Sequence, residues 1–224
     1  MSKNQLGKAV LGRLVASVLC FCALFFLPAG TLFYWEAWLY MTVLLIPMAL
    51  FGIYLFRHNP ALLERRMKMR EQETQQRWII ATSIAVFLVL LMLPGFDRRF
   101  GWSAVPTWLV LAADLLILLG YLFVVWTLLE NEYAARTVEV EAQQRVITTG
   151  PYALVRHPMY VGIILITIAS ALALGSYWAL IPAALFLPLI IARILNEEAV
   201  LHRELTGYDD YCQAVRYRLL PGVW

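Results

Sequence analysis

Polar side chains able to bind and orient a small molecule gather in residues 146–162, VITTGPYALVRHPMYVG, between two long apolar segments. Thr148, Thr149, Arg156, His157 and Tyr160 sit there among two glycines and two prolines. Gly150-Pro151 signals a turn. Pro158 suits the first position of a helix, where its missing N–H costs nothing, so Arg156 and His157 stand just before a helix start. A helix start offers unbonded amides and a partial positive charge. With an Arg and a His beside it, that is a place for a carboxylate or phosphate. The same residues also describe an interfacial loop with a snorkelling arginine and an aromatic anchor.

A second polar cluster follows the next pair of apolar segments. ARILNEEAVLHREL carries Arg193, Glu197 and Glu198 where the last segment ends. A helical hairpin entering at Pro158 and returning at Arg193 brings the two clusters to one membrane face. Together they supply two cations, two acids, a histidine and aromatics. They lack a nucleophile paired with a base, a phosphate-cradling glycine loop and a set of metal ligands. The histidines at 58, 157 and 202 are scattered, Cys20 and Cys22 point to different sides of a helix, and Cys212 stands alone, so no metal is expected. Such a site binds and aligns a zwitterion, with a carboxylate on the helix start or an Arg and an amine on a Glu. S-adenosyl-L-methionine is one such molecule among several, and methyl transfer asks a protein chiefly for alignment and exclusion of water.

The elements that position these residues are read from hydropathy. The chain is 62% apolar and 15% charged, whereas soluble domains run at about 45–50% and 25%. An all-α, polytopic membrane bundle of about six spans is predicted, forming a single integral membrane domain over 1–224. Spans one to four lie within 1–129; the cofactor-binding loop, a hairpin of spans five and six, and an amphipathic tail occupy 130–224. The predicted spans cover roughly 9–29, 35–56, 78–93, 106–129, 158–174 and 177–195. Pro94-Gly95 is expected to end the third, and Gly175-Ser176 to turn the hairpin. Residues 57–77 read as an interfacial helix opened by Asn59-Pro60, gripping anionic headgroups or simply solvated. Asp114 lies several turns inside span four and is either functional or bonded to a polar group on a neighbouring helix. The approach to Gly150 reads as extended. Gly207 reads as a helix stop, with a short helix starting at Asp209 or Asp210.

With six spans and a cytoplasmic N-terminus, 16 of the 18 Lys and Arg fall on one side; only Arg98 and Arg99 fall on the other. By the positive-inside rule both termini and both polar clusters are expected in the cytoplasm. The membrane would be the inner membrane of a bacterium or the endoplasmic reticulum of a eukaryote.

GPYALVRHPMYVG, then RILNEEAVL, then GYDDYCQAVRYRLLPGVW resembles the isoprenylcysteine carboxyl methyltransferase family and the related phospholipid methyltransferases. The shared marks are an Arg-His-Pro-x-Tyr-x-Gly run heading a membrane hairpin, a Glu-Glu pair at its end and a Tyr-rich tail closing with Pro. The resemblance covers about residues 131–224. It implies S-adenosyl-L-methionine as cofactor, with His157, Pro158, Tyr160, Gly162, Glu197 and Glu198 lining its pocket and Gly150, Pro151 and Tyr152 as backbone walls. It also implies that Arg156 and Arg193 stand near the methyl acceptor, where an arginine can hold an anion. The eukaryotic prenylcysteine enzymes carry acids where this chain has Leu195-Asn196. A lipid or other apolar small molecule is therefore expected as acceptor at least as readily as a prenylated protein. The bilayer is the expected partner, with no nucleic acid and no metal. Membrane sterol and steroid reductases, which use NADPH, share a similar hairpin and tail and are the alternative reading; the Glu-Glu pair straight after the span favours the methyltransferases over them.

Overall fold

Helices are the form these apolar runs take because a chain in hydrocarbon must satisfy its own backbone N–H and C=O groups. The computed structural model describes residues 3–67, 74–131, 133 and 144–224. Among them lie α1 (Lys3–Ala29), α2 (Trp35–His58), α3 (Pro60–Met67), α4 (Thr74–Phe100), α5 (Thr107–Glu130), a 3-10 turn (Gly150–Ala153), α6 (Pro158–Ala173), α7 (Leu180–Glu204) and α8 (Tyr208–Ala214). α1, α2, α4, α5 and α7 are long and apolar enough to cross a bilayer. α6, expected as a span, is equally apolar but has 16 residues, about 24 Å of helix against a hydrocarbon core of about 30 Å.

The six long and medium helices close a ring in the order α1, α4, α7, α6, α5, α2 and back to α1, and α6 also touches α2 and α4 across it. The short helix can sit inward because its packed face is small: Gly162, Ala169, Ser170, Ala171 and Ala173 are all buried. Its contact with α5 depends on glycine. A Cβ on Gly162 would stand 2.6 Å from Val124 Cγ2 and 2.9 Å from the Gly120 carbonyl oxygen.

Several boundaries differ from expectation. Pro94-Gly95 does not end a helix; α4 runs through both residues to Phe100. Proline removes only one intrahelical bond there, and Gly95 marks a crossing instead. A Cβ on it would lie 2.8 Å from the Phe25 carbonyl oxygen and from Pro28 Cβ of α1. α7 likewise continues past 195 to Glu204 as one rod. α8 starts at Tyr208, directly after Gly207 at φ +85°. Asn59 does open α3, its Oδ1 accepting from the Leu62 amide at 3.0 Å. Residues 144–148 run without helix into the 3-10 turn; residues 132, 134–143 and 68–73, on which parts of the expected extended approach and interfacial helix fall, lie outside the described residues.

The end of the bundle opposite the two polar clusters is tied by Asp97. It accepts from the Ser103 amide and hydroxyl, each at 2.6 Å, and from the Ser176 hydroxyl, joining α4 to the α6–α7 turn. Arg98 pairs with Glu36 of α2 at 3.1 Å. Asp114 is buried in the core, and neither of its carboxyl oxygens has a hydrogen-bond partner among the described residues.

Candidate active site

The site forms where the start of α6 meets the end of α7. Tyr160 is the third residue of α6. Arg193 and Glu197 are four apart on α7, hence on one face of it. They converge: Arg193 Nε donates to the Tyr160 hydroxyl at 2.7 Å, and that hydroxyl donates to Glu197 Oε2 at 2.7 Å. Both roles of the buried phenol are thereby assigned by its neighbours.

Glu198, one residue on, faces another way. It is buried among three cationic or potentially cationic groups. His157 Nε2 lies 3.2 Å from its Oε1, Arg156 Nε lies 3.0 Å from the same oxygen, and Arg218 Nε donates to its Oε2 at 2.7 Å. The Arg156 contact is one of charge, since its Nε–H is not aimed along the bond. The tail completes this hub through the backbone as well. The amides of Arg156 and His157 donate to the carbonyls of Tyr217 and Arg218, each at 2.9 Å, and the Arg218 guanidinium lies 5.0 Å over the Trp224 ring.

The 3-10 turn is held by the end of α5. Thr149 donates its hydroxyl proton to Glu130. Gly150 at φ +56° leaves room for that carboxylate, because a Cβ there would stand 2.9 Å from Glu130 Cδ. From α8, the Tyr211 hydroxyl donates to the Tyr152 carbonyl at 2.7 Å.

A recess of about 120 Å³ opens between these parts, lined among others by Asn131, Arg145, Tyr152, Arg156, His157, Pro158, Tyr160, Glu197, Tyr208 and Tyr211. Burial pushes the Tyr152 phenol up to about 12, and it raises Tyr208 and Tyr211 still further. All three remain neutral hydrogen-bonding groups across the pH range in which proteins work. The Tyr208 hydroxyl is buried and makes no hydrogen bond among the described residues, with the Cys212 thiol near it.

Residues 108–206, from the first turn of α5 to just past α7, match the phospholipid methyltransferase family. Most of the site is built on this matching segment. The structure of the eukaryotic intramembrane Ras methyltransferase, isoprenylcysteine carboxyl methyltransferase, shares the fold. The TM-score is 0.51 over 83% of this chain and 68% of that one, at 18% identity. No curated protein sequence matches the chain.

Within this fold the residues singled out from sequence divide into two groups. Tyr152, Arg156, His157, Pro158, Tyr160 and Glu197 line the recess. Gly150, Pro151, Gly162, Arg193 and Glu198 stand behind it. Gly150 and Gly162 are occupied with helix and turn packing, Pro151 is buried in the 3-10 turn, Arg193 acts through Tyr160, and Glu198 closes the cationic hub. Sequence reasoning missed Glu130, Asn131, Arg145, Tyr208, Tyr211 and Arg218. The Tyr-rich tail was legible as a motif, but nothing in it said that Arg218 pairs with Glu198 rather than with solvent.

Proposed function

We propose that the protein is an S-adenosyl-L-methionine-dependent methyltransferase that acts at the cytoplasmic membrane face on a lipidic or otherwise apolar acceptor. The observation that carries this reading is the Arg193–Tyr160–Glu197 chain set into a recess of the membrane methyltransferase segment. When bound, the donor supplies a methyl group activated by a sulfonium.

The residues present suit the amino-acid end of that donor. The Tyr208 hydroxyl is a buried donor without a hydrogen bond among the described residues, and Glu197 offers a carboxylate to an amine while one of its oxygens is fixed by Tyr160. Arg145, exposed at the lip, is placed for a carboxylate. A recess of about 120 Å³ would hold that end of the molecule, with Asn131 and Gln144 of its lining offering further polar groups to the donor.

Catalysis then rests on alignment rather than on proton abstraction by a nucleophile–base pair. Tyr160 is held on two sides and cannot swing, so it fixes one edge of the space in which donor and acceptor meet. His157 forms the neighbouring wall, its ring held by Glu198. Tyr152, Tyr208 and Tyr211 enclose the opening, which limits water at the reacting centre. Arg193 supports the acceptor side through Tyr160, and Arg156 serves as a wall whose charge Glu198 balances.

Calorimetry of the detergent-purified protein tests this. S-adenosylhomocysteine should bind with measurable heat and NADPH should not. The reverse result would sink the methyltransferase reading in favour of a reductase.

A further inference from the structure

Asp114 lies two turns inside α5, about 10 Å of helix in from the end opposite the recess. It is 4% exposed, and neither carboxyl oxygen has a hydrogen-bond partner among the described residues. Ala113 and Ile117, which flank it on α5, pack into one buried cluster with Tyr40 of α2 and with Ala169 and Ala173 of α6. Three helices therefore meet around this carboxyl. Neither the recess nor the motifs make use of it.

The polar groups at that junction have no proton to spare. Ser170 donates its hydroxyl proton to the Ile166 carbonyl at 2.7 Å. The Tyr40 hydroxyl, 3.0 Å from Ser170 Oγ, is then the donor between the two, because a serine has one proton. Tyr40 Oη keeps its lone pair, and among the described residues Asp114 is the charge that acts on this hydroxyl. Tyr40 and Ser170 are both fully buried.

The other ionisable groups of the surrounding helices are accounted for. Glu36, one turn before Tyr40 on α2, has Arg98 as counter-charge at 3.1 Å. Cys22 of α1 packs partly buried against the same cluster and supplies no positive charge. α6 contains no charged residue, and α4 brings Phe87 and Leu91 to the cluster. A lone carboxylate surrounded by apolar side chains is too costly to keep without a positive charge. With no cation of the described chain beside it, Asp114 takes that charge from outside the chain.

We propose that Asp114, with Tyr40 and Ser170, is an intramembrane binding site for one monovalent cation, a proton or an alkali ion. The charge count sets the valence: one carboxylate balances one positive charge, and a divalent ion would leave the junction net positive. The lone pairs set the class, since oxygen acceptors suit a proton or a hard cation. Bound there, the cation holds α2 and α5 against the end of α6 remote from the recess.

Infrared difference spectra of the full chain in neutral detergent, parent against Asp114→Asn, read the carboxyl itself. Asp114→Ala, which leaves no polar group to satisfy, is the second reference. Spectra are taken in N-methylglucamine chloride and in sodium or potassium chloride of equal ionic strength, with melting followed by tryptophan fluorescence. A protonated-carboxyl band in the parent, absent from the variants, assigns the cation as a proton. Its conversion to a carboxylate band in either salt assigns the site to both cations. A carboxylate band throughout, with a melting temperature raised by sodium or potassium in the parent alone, assigns an alkali ion. A carboxylate band with no salt effect on melting overturns the proposal, and so does a salt effect equal in parent and variants. Neither measurement involves S-adenosylhomocysteine, so the outcome stands apart from the methyltransferase reading.

Discussion

Arg193 and Glu197 are joined through the hydroxyl of Tyr160, which stands 2.7 Å from each. A cation and an acid four residues apart on one helix ordinarily pair with each other at the surface. Here a tyrosine from a different helix is inserted, and the pair becomes a clamp on the head of α6.

That clamp makes Tyr160→Phe informative. The ring stays, and only the oxygen is lost. Turnover should fall about ten- to a hundredfold, about 1.4–2.7 kcal/mol of barrier, while the melting temperature in detergent shifts little. Methyl transfer in Tyr160→Phe equal to that of the unmodified protein would remove the clamp from the mechanism.

The adjacent acids should separate cleanly. Glu197→Gln is expected to weaken S-adenosylhomocysteine binding by about 1.5–3 kcal/mol, the worth of a charge-assisted hydrogen bond, with folding retained. Glu198→Gln leaves Arg156 and Arg218 without their buried counter-charge and should cost stability instead, on the order of 3–5 kcal/mol. Calorimetry and thermal denaturation of the two variants, run side by side, decide the matter. Swapped phenotypes would contradict the assignment.

Gly162 tests the packing of α6 independently of any ligand. Alanine there places a methyl group against Val124 and the Gly120 carbonyl, and since that oxygen belongs to backbone it cannot step aside. A destabilisation of about 1–3 kcal/mol is expected from overpacking. A Gly162→Ala variant as stable as the parent would mean that α5 and α6 are not in contact at this level.

Cys212 carries a pH signature. Burial holds its thiol above the ordinary range, the neighbouring Arg156 opposing in part. The reactive form is the thiolate, so alkylation of Cys212 should be slow at pH 8 and accelerate only at higher pH than for a free thiol. The same sign applies to stability. A thiol whose folded pKa is raised contributes fully below its unfolded value, and the contribution is lost as pH rises past that value. Alkylation followed by mass spectrometry across pH, with Cys20 and Cys22 replaced by Ala, reads the effect; a rate profile like that of a free thiol would show that the tail does not bury this residue.

The sequence by itself determined which stretches are helical and where α3 and α6 begin. Hydrocarbon-length apolar runs have no alternative to helix, and the Asn59 cap and the Pro158 start are local chemistry that needs no partner. It also brought the residue 156–162 motif and the Glu197-Glu198 pair together, because a hairpin of two apolar helices must return to the face it left. What local chemistry could not decide was the direction each side chain takes. Glu197 and Glu198 are identical and adjacent, yet about 100° of helical rotation sends one to Tyr160 in the recess and the other to Arg218 of the tail. Pro94-Gly95 has the composition of a turn, and only the closeness of α1 shows it to be a crossing. Arg66 belongs to a segment that reads as solvated, and its reach to Met159 exists only because Leu62 and Leu63 seat α3 on α1 and α2. Each of these outcomes is set by which face of a helix meets which neighbour, and that is a property of the packed bundle rather than of any one stretch of chain.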